Sequence, residues 1–214
     1  MIRLKVVNDM EMKGADLSRW NYVYNYDLLC KELDFIILKA GGSDAGFYKD
    51  STFEQKYNQL SKRFIPMGAY YFVGPNFYGK SAGVADAKRF LDQVKGKRFE
   101  FPLFLDIEST SPARKEEATT ASIWFCETLE EAGYYASIYA SDISGFKDRL
   151  DITRLTAYDK WVARYGSKPK YVPKYGIWQA TSSGSVEGIQ GKVDIDYAYY
   201  DYPSIIKKAG LNHL

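Results

Sequence analysis

The segment FPLFLDIE, residues 101–108, joins a run of five apolar residues to two acidic residues. The apolar run is typical of a strand that is buried on both faces. Because strand side chains alternate, Asp106 and Glu108 point to the same side of the sheet. Burying two carboxylates is costly unless they are paired or functional, and glycoside hydrolysis requires such a pair. The alternative is structural: both acids cap helices or pair with basic residues.

On either side of this segment, short apolar strands alternate with amphipathic helices, which predicts a largely parallel sheet or barrel. The first strand ends near residues 14–17, and further strands are expected at 35–40, 66–73, around Asp106 and at 135–140. Helices are expected at 26–33, 52–61, 81–94 and 116–132. Three strand-like segments follow at 160–165, 175–181 and 192–196, and a last helix at 203–209. The pattern predicts an α/β fold: a single modified TIM-type barrel with five β/α units followed by three strands.

Local signals indicate where these helices begin and end. Residues 51–54 resemble a capping box at the start of the second helix. Gly96 and Gly133 are expected to end the third and fourth helices.

Acidic residues recur at the predicted ends of the strands. Asp16, the pair Asp106 and Glu108, and Asp194 are far apart in sequence. In a parallel barrel, the C-terminal ends of the strands gather at one face, which carries the reactive groups. We therefore expect these four acids to converge, and their convergence favours a functional role over a structural one.

Composition excludes several kinds of chemistry. The net charge of +2 is too small to indicate nucleic-acid binding. His213 is the only histidine, so neither a Ser-His-Asp unit nor a histidine-rich zinc site is available. Cys30 and Cys126 are interpreted as buried apolar residues in two helices, with a disulfide between them as an alternative. The 19 tyrosines and 4 tryptophans suit a surface that stacks on sugar rings, although most are expected to pack inside the protein.

Seven short motifs occur in an order that resembles glycoside hydrolase family 25, the lysozymes (N-acetylmuramidases) that include many phage endolysins. The motifs are GADLSRW (14–20), GAYYF (68–72), LDIE (105–108), IYA (138–140), WVARY (161–165), IWQ (177–179) and GKVDID (191–196). The resemblance implies a barrel of five β/α units closed by three strands. It also implies hydrolysis of the β-1,4 bond between N-acetylmuramic acid and N-acetylglucosamine in bacterial peptidoglycan, without a metal or cofactor.

The chain departs from the family pattern in two places. Tyr71 stands where a histidine is common, and residues 39–42, KAGG, lack the usual Glu or Thr. These departures are expected to alter how substrate is positioned more than the reaction itself.

The resemblance also assigns roles to residues. Glu108 is the expected proton donor. Asp106 either orients the substrate's acetamido group for attack with retention, or acts as the base for water with inversion. Asp16 and Asp194 are expected to orient substrate and keep Glu108 protonated; Asp194 is preferred to Asp196 because it comes first in its motif. Candidates for substrate binding are Tyr70, Tyr139, Trp161, Trp178, Ser18 and Gln179, with packing inside the barrel as the alternative for the aromatic residues.

Three other functions remain open from the sequence. The first is an inactive barrel that binds cell-wall carbohydrate. The second is a chitinase-like hydrolase, although the longer acidic run typical of those enzymes is absent before Asp106. The third is a metal-dependent hydrolase that uses the acids as oxygen ligands.

The start of the chain, MIRLK, shows no signal peptide, and no apolar run is long enough to span a membrane. We therefore expect a protein made in the bacterial cytoplasm that acts on the cell wall, as a phage or prophage endolysin does. Residues 1–13 are interpreted as an N-terminal extension, and residues 14–214 as the catalytic barrel. The oligomeric state is not predicted.

Overall fold

The structure is a computed structural model that describes residues 11–214. The strands are β1 (Met12–Leu17), β2 (Tyr22–Val23), β3 (Phe35–Gly42), β4 (Tyr48–Lys49), β5 (Met67–Val73), β6 (Leu103–Ile107), β7 (Ala136–Ser141), β8 (Asp159–Ala163), β9 (Ile177–Gly184), β10 (Ile189–Gln190) and β11 (Val193–Ala198). The helices are α1 (Tyr26–Glu32), α2 (Phe53–Ser61), α3 (Gly79–Val94), α4 (Lys115–Glu131) and α5 (Tyr202–Ala209).

Eight of these strands close into a barrel in the order β1, β11, β9, β8, β7, β6, β5, β3, and pairing of β3 with β1 completes the ring. Each strand is parallel to the next along the series β1, β3, β5, β6, β7, β8, β9. Strand β11 is antiparallel to both of its neighbours, β1 and β9. This architecture confirms the predicted barrel of five β/α units followed by three strands. The fifth unit has a π-helical segment, Asp142–Lys147, and a 3-10 turn, Ile152–Arg154, in place of a full helix.

Alternating side chains divide the apolar residues into two cores. The outer core lies between the barrel and its helices and includes Leu38, Leu105 and Phe125. The inner core fills the barrel and is built from Phe35, Phe101, Phe104 and their neighbours, together with Tyr202 and Ile206 of α5. Helix α5 therefore supplies side chains to the barrel interior.

Close approach inside the barrel explains the glycine at the start of the GADLSRW motif. A β-carbon at Gly14 would overlap the ring of Phe35. That ring stacks on Phe101 with the two centroids 4.4 Å apart, a contact worth about 0.5–1.5 kcal/mol beyond the area it buries.

The predicted glycine ends of the helices are confirmed, but the capping box is wrong. Gly96 and Gly133 follow α3 and α4 with positive φ angles, which glycine adopts without steric cost. Thr52 at the start of α2 makes no side-chain capping bond to the helix. Instead, its backbone N–H and its hydroxyl both donate to Asp50, at 2.9 and 2.8 Å. The box also needs Glu54 to bond back to Ser51, but the Glu54 carboxylate pairs instead with Lys49 and Lys97, at 2.5 and 3.0 Å.

Cys30 and Cys126 are both free, in agreement with the main interpretation of the sequence and not with the alternative of a disulfide. Cys126 is buried and Cys30 is half-buried. Helix α1 packs beside α2, whereas α4 packs beside α3. The boundary predicted at residue 14 falls within β1, which already pairs with β11 at Met12. Most of the predicted extension, residues 1–10, lies outside the described residues. Among residues 11–214, no helix is both long and apolar enough to cross a membrane.

Candidate active site

The predicted acids gather at the end of the barrel where β1, β3, β5, β6, β7 and β8 finish; we call this end the mouth. Asp16 lies near the end of β1, and Asp106 lies on β6 with Glu108 just beyond it. The charges of Asp196, Asp194 and Glu108 all act on the pKa of Asp16. The convergence expected from the sequence is therefore present in the structure.

Asp106 and Glu108 form a hydrogen-bonded carboxyl pair. Asp106 is only 3% exposed, whereas Glu108 reaches solvent at the rim of the mouth. Burial raises the pKa of both carboxyl groups, and the negative charge of Glu108 raises the pKa of Asp106 further. The hydrogen bond with Asp106 lowers the pKa of Glu108, as do the charges of Lys39 and Arg149. Lys39 also lowers the pKa of Asp106. The pair is thus suited to hold one shared proton beside two cations.

A second acidic group, Asp194 and Asp196, lies across the mouth. Asp194 is half-buried, and desolvation is the main reason that its pKa rises to about 6. Asp196 is fully buried, so its pKa lies well above the usual range. Its Oδ1 accepts a 2.8 Å hydrogen bond from the indole N–H of Trp161. The two-residue spacing of the Asp-x-Asp motif had indicated that both acids face the same side.

Asp16 is oriented by a hydrogen-bond network centred on Gln179. The side-chain amide of Gln179 donates to Asp16 Oδ2 at 2.8 Å. Its oxygen accepts from the hydroxyls of Tyr139 and Tyr165, at 2.9 and 3.2 Å. Gln179 is only 3% exposed. It therefore acts on Asp16 and has little capacity left for the sugar hydroxyls that the sequence assigned to it.

Two of the predicted aromatic residues do not line the mouth. Trp161 is 1% exposed and packs inside the barrel against Phe104 and Tyr139, with centroid distances of 5.1 and 4.4 Å. Trp178 lies on the outer face of β9, since its neighbours Ile177 and Gln179 point inward. Its ring packs against Tyr197, and its N–H donates to the carbonyl of Arg164.

Tyr70 and Tyr139 remain near the acids. The charges of Asp16 and Asp106 raise the pKa of both phenols, in addition to burial. Both are almost buried, at 8% and 7% exposure. They therefore form the floor of the mouth and not an open surface for stacking.

Residue 71 points away from the mouth. Tyr71 packs in the outer core between Phe90 and Phe125, at centroid distances of 5.7 and 6.2 Å. Tyr71 therefore does not reach the mouth itself.

Ser18 belongs to the turn after β1, and the same turn exposes aromatic residues that the sequence did not single out. The Ser18 hydroxyl accepts from the backbone N–H of Trp20 at 3.4 Å. Trp20 is 79% exposed, and the Arg19 guanidinium lies 4.8 Å from its ring centre and 5.6 Å from that of Tyr48. We call Arg19, Trp20 and Tyr48 the rim shelf. Exposure of a large aromatic ring is the signal for this surface, and it is visible only in three dimensions.

The site thus combines buried acids with raised pKa values, a solvent-facing carboxyl group and two nearby cations. Such a site can donate a proton to a leaving group and stabilise positive charge at the reacting carbon. Within residues 11–214, no group of three or more His, Cys, Asp or Glu side chains is arranged to hold a metal ion.

Comparison with known proteins relates this site to a family. Residues 15–189 match the family "Glycosyl hydrolases family 25". The autolytic lysozyme of Clostridium acetobutylicum is 25% identical over 186 residues, which cover 86% of this chain and 55% of that protein. The chain therefore spans about half the length of this relative.

Solved structures share the same barrel. The CTP1L endolysin superposes with a TM-score of 0.80 and 28% identity, covering 92% of this chain and 70% of that one. The bacterial lysozyme from Streptomyces coelicolor superposes with a TM-score of 0.77 and 21% identity, covering 94% of this chain and all of that one (100%). The second similarity concerns the fold alone. Because the family match covers most of the barrel and includes the acids of β1 and β6, the chain belongs to glycosyl hydrolases family 25.

Proposed function

We propose that this protein is a lysozyme (N-acetylmuramidase), which hydrolyses the β-1,4 bond between N-acetylmuramic acid and N-acetylglucosamine in bacterial peptidoglycan. The observation that carries the proposal is the Asp106–Glu108 pair at the open end of a family 25 barrel. The similarity to an autolytic lysozyme and to an endolysin supports action on the cell wall and supports the proposed endolysin role.

Glu108 acts as the general acid in this proposal. It is the member of the pair that reaches solvent, so a glycosidic oxygen can approach it. A bound glycan would remove that solvent and favour the protonated form further. After proton transfer, the new carboxylate lies near the positive charges of Lys39 and Arg149. These cations therefore stabilise the product of the transfer.

Asp106 orients the acetamido group of the substrate in the mechanism we favour. Apart from the bond to Glu108, its Oδ1 has no hydrogen-bond partner among the described residues. Asp194, whose pKa is about 6, is negative at neutral pH, and its charge disfavours a second charge on the pair. The same negative charge stabilises the positive charge that develops on the sugar.

The stereochemistry of the product tests the role of Asp106. If the acetamido group attacks the anomeric carbon, we expect the first product to retain the β configuration. Proton NMR during the first minutes of a digest, before mutarotation, distinguishes the two anomers. An α-anomer as first product would contradict participation of the acetamido group and would favour Asp106 as a base.

The experiment that tests the function is digestion of purified Gram-positive cell walls, followed by identification of the new reducing ends. New reducing ends on N-acetylmuramic acid are expected. New ends on N-acetylglucosamine would place cleavage at the other glycosidic bond. Binding to several wall types without cleavage would favour the inactive carbohydrate-binding barrel, and loss of activity with a chelator would favour the metal-dependent hydrolase.

The rim shelf is the proposed stacking surface for a sugar ring of the glycan. We expect Trp20→Ala to raise KM about tenfold with little change in kcat, since a loss of about 1.4 kcal/mol in binding is a factor of ten. Trp20→Phe is expected to keep most of the affinity because it keeps an aromatic face. Phe64→Ala is the matched control, since Phe64 is 92% exposed and precedes β5 at the opposite end of the barrel. An unchanged KM for Trp20→Ala would contradict the role of the shelf.

A further inference from the structure

A second cavity lies beside the mouth, between the ends of β3 and β5 and the first part of α3. Its volume is about 330 Å³. The polar and charged residues of its wall are Ser43, Asp44, Asn76, Asp86 and Arg89. None of these residues belongs to the acid cluster of the mouth, so the cavity is a separate feature that the proposed reaction does not use.

One side of the cavity presents a fixed positive charge. Asp86 is 5% exposed, and its Oδ1 accepts a 2.9 Å hydrogen bond from Arg89 Nη1. Its Oδ2 accepts from the Ser43 hydroxyl at 2.8 Å. The guanidinium of Arg89 also lies 5.3 Å from the ring centre of Phe47, which is 55% exposed. Two contacts thus hold Arg89, while about half of its side chain remains open to solvent (46%).

The interior behind this ion pair holds a buried phenol. The side chains of Ser43 and Arg89 approach the Tyr71 hydroxyl within hydrogen-bonding reach. Burial is the main cause that raises the pKa of Tyr71, and the charge of Asp86 raises it further. Tyr71 thus joins Ser43, Asp86 and Arg89 in one polar network behind the wall of the cavity.

The other side of the cavity presents a negative charge next to the mouth. Asp44 is exposed and accepts a hydrogen bond from the Tyr48 hydroxyl. The ring of Tyr48 in turn faces the Lys39 ammonium at 5.7 Å from the ring centre. Tyr48 therefore contacts Asp44 of the cavity wall on one side and Lys39 of the mouth on the other.

The charges of the cavity match a zwitterionic peptide. In peptidoglycan, a short peptide branches from the lactyl group of each muramic acid and carries free carboxylates and, before cross-linking, a free ammonium group. An extended chain spans about 3.3–3.6 Å per residue. A peptide of a few residues is therefore long enough to extend from the mouth, past the Tyr48 side chain, to the cavity. Arginine pairs well with carboxylates because its planar fork donates two parallel hydrogen bonds.

We propose that this cavity binds the stem peptide of peptidoglycan, with Arg89 pairing with a peptide carboxylate and Asp44 with a peptide ammonium group. The inference rests on the proposed lysozyme function, since the mouth must hold the muramic acid from which the peptide branches. In this proposal the cavity determines which substrates are preferred. Its residues are separate from those that cleave the glycosidic bond.

The test compares two substrates that differ only in the peptide. One is uncross-linked peptidoglycan, and the other is the same glycan stripped of peptides by an amidase. The readout is the ratio of kcat/KM on the first substrate to kcat/KM on the second. For Arg89→Gln, which retains a donor for Asp86, we expect this ratio to fall at least fivefold. We expect the same fall in the ratio for Asp44→Asn. Because Asp44 is exposed, this variant still tests the proposal if Arg89→Gln fails to fold.

Arg98→Gln is the matched control, because Arg98 is an exposed arginine in the loop that leads into β6. Its ratio is expected to equal that of the unaltered protein. An unchanged ratio in both Arg89→Gln and Asp44→Asn would overturn the peptide site while leaving the lysozyme function intact. An unaltered protein that cleaves neither substrate would overturn the lysozyme function itself, and the inference with it.

Discussion

The Glu108→Gln variant is expected to lose at least about 10³-fold in kcat on cell walls, because it removes the proposed proton donor and general acid catalysis contributes about 10²–10⁴-fold. Glutamine keeps the size and polarity of the side chain but has no acidic proton. Glu108 reaches solvent, and burial already disfavours its charged form. We therefore expect the thermal midpoint of the variant to equal or exceed that of the unaltered protein.

The measurement is the rate of release of reducing ends, with wall binding measured in parallel. Glu131→Gln is the matched control, since Glu131 is exposed at the end of α4. Binding is expected to persist in the Glu108 variant, which would separate chemistry from recognition. If Glu108→Gln keeps more than about a tenth of the activity, the acid is a different residue, and Asp106 becomes the first candidate.

The barrel could be predicted from the sequence because its signals are local and repeat along the chain. Each apolar strand and amphipathic helix shows its own period, and the order of elements restricts the topology. The alternation of strand side chains also predicts that Asp106 and Glu108 lie on the same side of the sheet. These inferences required only the spacing between nearby residues.

The orientation of the aromatic residues could not be predicted in this way. Trp161 and Trp178 occupy similar apolar strands, yet one lies in the barrel and the other on its outer face. The facing of a strand depends on its register with both neighbours, and β11, which pairs with β9, contains register shifts between Val193 and Asp196. The motifs therefore predicted which residues form a strand, but not which face of the sheet each aromatic side chain occupies.

Competition among polar groups limited the local predictions too. Residues 51–54 have the composition of a capping box, but the Glu54 carboxylate that the box needs pairs with Lys49 and Lys97. The neighbouring Thr52 donates to Asp50. Asp50 is also bound by the backbone N–H of Arg19 at 2.9 Å, a contact that joins residues 31 positions apart in sequence. Such contacts between distant segments decide the geometry of the mouth, and they have no counterpart in the local pattern.

A second large effect is expected in the pH dependence of folding: the free energy of unfolding should decrease as pH rises from about 5 to 7.5. In the folded protein, burial holds the pKa of Asp16, Asp106 and Asp196 well above their usual value of 3.8. At any pH between the usual carboxyl pKa and the raised pKa of the folded protein, the folded state keeps protons that the unfolded state has released. Each such proton lowers stability by about 1.4 kcal/mol per pH unit.

The carboxyl groups with lowered pKa values, such as Asp142 and Glu54, do not oppose this trend. Their contribution is lost only as pH falls below the ordinary range of carboxylates, which lies under the window tested. Asp194, with a pKa near 6, contributes only to the lower part of the window. One buried acid over two pH units corresponds to about 2.7 kcal/mol, or roughly 5–10 °C in the thermal midpoint.

Thermal midpoints at pH 5.5 and 7.5, at constant ionic strength, measure this effect. Asp196→Asn is the informative variant, because its side-chain oxygen can still accept from the Trp161 indole while the titrating proton is gone. We expect it to be more stable than the unaltered protein at pH 7.5 and to depend less on pH. A midpoint that rises with pH in the unaltered protein would show that these acids are ionised in the folded state.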